Sequence, residues 1–193
     1  MLGFAFDVIA EYIAVILSLV YVVLAAKQIK WCWFAGGVGS AIYVYLNIEN
    51  SLFYDAVLQF YYVVVAVYAL LLWNKKDTSE QVTISKINLR LLLSLVIVGT
   101  VLTTLLGYFS MLFFKQNTAF FDAGVAAFSF IATWMTARKY LESWLLWIVI
   151  DIAAAVMYSL KSMQPTVGLY IAFTVVAVYG YWQWNRAIKN RLL

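Results

Sequence analysis

Seven apolar runs follow one another along this chain, near residues 8–26, 31–48, 52–73, 89–112, 119–137, 141–160 and 166–184. Runs of about 17–25 mostly apolar residues span the hydrocarbon layer as helices, because a helix satisfies its own backbone donors and acceptors where no water can. Composition agrees. Of 193 residues, 66% are hydrophobic and 11% charged, whereas a soluble domain averages about 45–50% apolar and about 25% charged residues. The expected fold class is an all-α membrane protein of seven transmembrane helices. The first run carries Glu11, lacks a basic stretch ahead of it and shows no small-residue cleavage pattern, so it reads as a retained helix.

Basic residues set the orientation, because cytoplasmic loops are enriched in Lys and Arg. With the runs placed as above, Lys27, Lys30, Lys75, Lys76, Lys86, Arg90, Arg138, Lys139, Arg186, Lys189 and Arg191 fall on one side, and Lys115 and Lys161 on the other. The N-terminus is therefore expected outside and the C-terminus in the cytoplasm. This topology also accounts for the net charge of +4 without invoking nucleic acid. The segment Asn74–Asn88 is polar and is the one linker-like connection.

The chain also matches itself. Val64–Trp73, VVAVYALLLW, returns as Val175–Trp184, VVAVYGYWQW, at an offset of 111 residues. In the same register Glu11 falls on Asp122, Ala26 on Ala137, Lys27 on Arg138, Trp33 on Trp144 and Trp73 on Trp184. An acid, a base and two tryptophans holding one register are harder to obtain by chance than Val and Ala. The expected organisation is a three-helix repeat in residues 1–73, a polar loop and linker helix in 74–112, and a second three-helix repeat with a basic tail in 113–193. Three crossings are an odd number, so the linker helix restores the orientation of the second triplet. Parallel repeats of this 3+1+3 kind, as in SWEET proteins, are a transporter architecture with substrate bound near the midplane.

Ionisable residues inside a membrane are costly and point to function. Glu11, Asp55 and Asp122 lie near outer helix ends, where an interfacial carboxylate is an equally good reading. Asp151 differs, lying about halfway along its run with no basic residue in that span. Trp144, Trp147, Asp151 and Tyr158 fall along one helical face. Two indoles and a carboxylate along such a stripe suit an aromatic cation, through stacking, cation–π attraction and charge pairing. The bland alternative makes Trp144 an interfacial anchor and Asp151 a neutral carboxyl hydrogen-bonded between helices. Gln59, an amide among apolar neighbours, is placed to read a hydroxyl or amine, or to bond between helices. Trp31, Trp33, Trp73, Trp182 and Trp184 cluster at cytoplasmic ends and read as belt residues. Gly36, Gly37, Gly39, Ser40 and Ala41 form a small-residue patch for close helix packing.

No nucleotide-binding, zinc-ligand or nucleophile motif is present, His is absent, and Cys32 is the single cysteine. No enzyme activity, cofactor or metal is expected. The chain resembles the PnuC/PnuT family of bacterial vitamin transporters from about Glu11 to Trp184. The likeness is most specific in Ala137–Asp151, ARKYLESWLLWIVID, where Arg138, Lys139, Glu142, Trp144 and Trp147 match the family's basic turn and W-x-x-W motif. The resemblance implies substrate binding by Trp144 and Trp147, with Asp151 at the polar position beyond them, and Gln59 matches a family glutamine. Gly39 stands where nicotinamide riboside carriers tend to have asparagine. Tyr68–Trp73, YALLLW, stands where they often have Y-G-W-x-x-W.

These departures tilt the expected substrate towards thiamine, with nicotinamide riboside the alternative. Both are small cationic aromatic vitamins. The resemblance further implies facilitated diffusion across the bacterial inner membrane, trapping by a cytoplasmic kinase, and a homo-oligomer, a trimer by analogy. Proton coupling through Asp151 is a variant of this scheme. Other classes are a ligand-binding membrane receptor or assembly subunit and, least supported, an intramembrane enzyme.

Overall fold

The computed structural model describes residues 2–49, 53–74, 83–114, 118–160 and 164–191. They form seven helices: α1 (Leu2–Ala26), α2 (Cys32–Glu49), α3 (Phe53–Trp73), α4 (Leu89–Phe114), α5 (Ala119–Ala137), α6 (Ser143–Leu160) and α7 (Gln164–Arg191). All but α2 are long and apolar enough to cross a membrane. α2 owes its lower apolarity to Gly36, Gly37, Gly39, Ser40 and Asn47, and it packs against both α1 and α3. The helices match the apolar runs, with two differences at the ends. α1 begins at Leu2 rather than near residue 8, and α7 continues to Arg191 rather than stopping near 184. Past Trp184 the polar stretch Asn185–Arg191 stays helical beyond the apolar core, so hydropathy undercounts that end. Lys75, Lys76, Lys115 and Lys161, used above for orientation, lie outside the described residues.

The chain divides into two compact units, Met1–Thr83 and Ile84–Leu193. In the first, the small residues of α2 set the approach of its neighbours. A Cβ on Gly36 would stand 2.8 Å from the Tyr21 ring of α1, one on Gly37 3.2 Å from Ala66 Cβ of α3, and one on Gly39 3.3 Å from Leu17 Cβ. The glycine patch is a packing device, as its composition suggested.

In the second unit, α6 packs against α5 and α7, and α4 lies on α5. Gly99 of α4 accepts the Phe128 ring of α5, where a Cβ would stand only 2.7 Å from Cε1. Much of the rest of α4 is exposed, including Leu93, Ile97, Val101, Leu105 and Leu112, and this apolar surface needs lipid as its solvent. Ahead of α4, the backbone pairs with the α5–α6 turn. Ser85 N–H donates to Lys139 O at 3.1 Å, Leu141 N–H donates to Ser85 O at 2.9 Å, and Ile87 N–H donates to Glu142 Oε2 at 2.9 Å. The end of the linker-like segment is thus tied down rather than free. Asn88 then caps α4, its Oδ1 accepting from Leu91 N–H at 2.7 Å.

Candidate functional site

The α5–α6 turn places the candidate residues. α5 ends in a Schellman motif: Lys139 N–H donates to Thr136 O at 3.0 Å and Tyr140 N–H to Met135 O at 3.0 Å, with Lys139 left-handed at φ 55°. Two further turn bonds, Ser143 N–H to Tyr140 O at 3.1 Å and Trp144 N–H to Leu141 O at 3.2 Å, start α6. The first unit repeats this construction. α1 ends with Gln28 N–H on Ala25 O at 2.9 Å, Ile29 N–H on Leu24 O at 3.0 Å, and Gln28 at φ 58°. Every one of these partners is displaced by the 111-residue offset of the sequence repeat.

From that start α6 carries Trp144, Trp147, Asp151 and Tyr158. Trp144 is 1% exposed. Its indole meets Trp184 of α7 edge-on at 5.4 Å and lies over Gly180, where a Cβ would stand 2.7 Å from the ring. The first unit has the equivalent pair, Trp33 and Trp73, at 5.6 Å. Trp33, Trp73 and Trp184 are buried, so the belt reading fails for them: two indoles that lock together at a helix crossing are core residues. Trp31 and Trp182 are exposed, as belt residues should be. The indole N–H groups of Trp33 and Trp144 are both buried without a partner among the described residues, a further likeness between the units.

Trp147 is half-buried, and its Nε1–H donates to Thr136 Oγ1 at 3.1 Å. Asp151, one turn further on, is 4% exposed. Among the described residues, no donor or cation is seen to pair with its carboxyl. A carboxylate buried in a protein interior is costly unless a proton, a cation or a hydrogen-bond donor offsets its charge. Tyr158 is half-buried and stacks on Tyr170 of α7, with centroids 5.4 Å apart and planes 15° from parallel. α6 thus presents, from its start outward, a locked indole, a half-open indole, a carboxyl and a tyrosine stack.

Gln59 stands half-buried in α3 of the first unit, and Asp55 is exposed in the first turn of that helix. Glu11 is exposed and nine residues into α1, deeper along its helix than the sequence suggested, because α1 starts early. Asp122 lies in the first turn of α5, where Thr118 Oγ1 donates to its Oδ2 at 2.7 Å. Among the described residues there is no cluster of His, Cys, Asp and Glu able to hold a metal. Thr136, Tyr170, Gly180 and Trp184 are the neighbours that sequence reasoning did not assign to the site. The 111-residue register pointed to Trp184 alone, as the counterpart of Trp73.

The sequence pattern of the family described as "Nicotinamide mononucleotide transporter" matches residues 8–186. The chain belongs to the nicotinamide mononucleotide transporter family. Two curated relatives, each called "Nicotinamide riboside transporter PnuC", come from Escherichia coli strain K12 and Shigella flexneri. Each is 31% identical over 72 residues, which is 37% of this chain and 30% of the relative. The match therefore spans less than a third of the length of these curated relatives. A solved structure, "Crystal structure of the Vitamin B3 transporter PnuC", superposes with a TM-score of 0.75 at 22% identity, covering 97% of this chain and 85% of the other. The seven-helix fold of this transporter family is thus the fold of the chain, and the candidate face on α6 lies inside the matched region.

Proposed function

We propose that this protein imports nicotinamide riboside by facilitated diffusion across the bacterial inner membrane, with Asp151 and Trp147 as the principal substrate contacts. The observation that carries the reading is the buried carboxyl of Asp151 one helical turn from a half-open indole. The pyridinium ring of nicotinamide riboside combines a flat aromatic face with a fixed positive charge. Trp147 offers the stacking surface and Asp151 the counter-charge, and each interaction strengthens in a site shielded from water. Tyr158 supplies an aromatic edge further along the same helix. Trp144, held by Trp184 and Gly180, supports the start of the helix from which Trp147 projects.

Family membership and the names of the relatives favour nicotinamide riboside over thiamine. Part of the sequence argument for thiamine also loses weight. Gly39 is buried, and a Cβ there would stand 3.3 Å from Leu17 Cβ and 3.5 Å from Ala14 O. The loss of an asparagine at this position is accounted for by close packing of α1 on α2 and does not require a different substrate. Thiamine remains the second reading through Leu70, which replaces a family tryptophan.

Facilitated diffusion moves substrate only down its gradient, so net uptake in this account depends on a cytoplasmic kinase that phosphorylates and traps it. The N-terminus is assigned to the periplasmic side, the C-terminus to the cytoplasm, and the assembly to a homo-oligomer of the family's trimeric kind. Calorimetric titration of the detergent-solubilised protein with nicotinamide riboside and with thiamine tests the substrate. Nicotinamide riboside is expected to bind at least tenfold more tightly, about 1.4 kcal/mol. Tighter binding of thiamine would reverse the assignment.

A further inference from the structure

Thr136 lies on α5, outside the stripe of candidate residues, and is 1% exposed. Its hydroxyl makes two bonds at once. Thr136 Oγ1 donates to Ala132 O at 2.8 Å and accepts from Trp147 Nε1–H at 3.1 Å. The first bond is the usual back-bond of a helical threonine and fixes where the oxygen's lone pairs point. The second uses that fixed acceptor to hold a side chain on the neighbouring helix. An indole turns about two torsions, and a hydrogen bond at its N–H removes one of the remaining freedoms of the ring plane.

The first unit provides an internal control. At the 111-residue offset, Thr136 corresponds to Ala25 and Trp147 to Gly36. The backbone there has the same Schellman turn, and Ala25 is as buried as Thr136. The hydroxyl and the indole are absent together. A buried hydroxyl is unfavourable unless it is bonded. Thr136 is therefore not demanded by the turn, which the first unit builds with alanine. Its distinguishing partner is Trp147.

We infer that Thr136 is a positioning residue for substrate binding: its hydroxyl holds the Trp147 indole in the plane against which the substrate ring stacks. This rests on the reading of Trp147 as a substrate contact. The pre-set plane spares the bound state the cost of ordering a free indole, so the effect falls on affinity.

The test is a double-mutant cycle on the purified full-length protein, read by calorimetric titration with nicotinamide riboside. Thr136→Val removes the hydroxyl at nearly constant shape, Thr136→Ser keeps it, and Trp147→Phe keeps a stacking ring without an N–H. Thr136→Val is expected to weaken binding about three- to tenfold, the range of one hydrogen bond, and Thr136→Ser to restore it. In the Trp147→Phe background, Thr136→Val is expected to change affinity by less than about twofold, because the partner is gone. Equal losses in the two backgrounds would show that Thr136 acts through packing alone and would overturn the inference. So would native affinity in Thr136→Val while Trp147→Ala is damaging. If Trp147→Ala itself leaves affinity unchanged, the substrate reading of Trp147 fails, and the inference fails with it.

Discussion

Gln28 and Lys139 both stand in the left-handed region, at φ 58° and 55°, and they are separated by the same 111 residues that separate the two copies of VVAVY. Each is the residue after a helix C-cap, a position that glycine usually fills, since a side chain there costs about 1–2 kcal/mol. Two helices that end in the same costly turn, at corresponding positions, tie the sequence repeat to a repeated local structure. Lys139→Gly is expected to be neutral or slightly stabilising. Lys139→Val, β-branched in that conformation, is expected to lower stability by about 1–2 kcal/mol. Thermal unfolding in detergent checks the order of the three proteins.

Asp151→Asn keeps the shape of the side chain and removes its charge. Affinity for nicotinamide riboside is expected to fall about ten- to a hundredfold, the scale of a charge-assisted contact of about 1.5–3 kcal/mol. The reduced, uncharged nicotinamide analogue is expected to lose much less. Equal losses for both ligands would argue against charge pairing at Asp151.

Trp147→Ala removes a stacking face, a change worth about 1–3 kcal/mol where aromatic rings stack on bases. Charged and neutral ligands are expected to weaken alike in titrations, which separates this role from that of Asp151.

Trp184→Ala probes packing instead. The ring is fully buried against Trp144, so its loss is expected to cost about 3–5 kcal/mol of stability. An interfacial anchor would have given almost none. Gly180→Ala, which drives a methyl into the Trp144 ring, is expected to cost about 1–3 kcal/mol. Unfolding temperatures of the two variants provide the check.

Glu142 ties the segment before α4 to the α5–α6 turn through Ile87 N–H. Glu142→Ala is expected to speed hydrogen exchange at Ile87 and at the bridged Ser85–Leu141 amides, while amides in the middle of α4 keep their protection. Unchanged exchange at Ile87 would show that the carboxylate does not hold this segment.

The helices were legible because span length and apolarity are read directly from the chain, and Asp151 because depth alone made it unusual. Other features were legible only in part. Tryptophans at helix ends have two readings, a lipid-interface belt or a locked crossing. Only the neighbours Trp73 and Gly180 show that Trp33 and Trp144 take the second. Thr136 was hidden because a helical threonine ordinarily bonds its own backbone, as this one also does. The Schellman turns were hidden because Gln28 and Lys139 occupy positions where glycine would have announced them. The tie between Ser85 and Tyr140 joins residues far apart in sequence, and no local pattern encodes it.

The most direct test of the account is uptake of labelled nicotinamide riboside into sealed proteoliposomes, for the native protein and for Asp151→Asn. The native protein is expected to equilibrate substrate across the membrane without an imposed ion gradient, and Asp151→Asn to slow that equilibration at low substrate concentration. Binding in detergent without any movement across the vesicle would contradict the transporter reading and leave a membrane receptor. Uptake that Asp151→Asn leaves unchanged would contradict the placement of the substrate's charge.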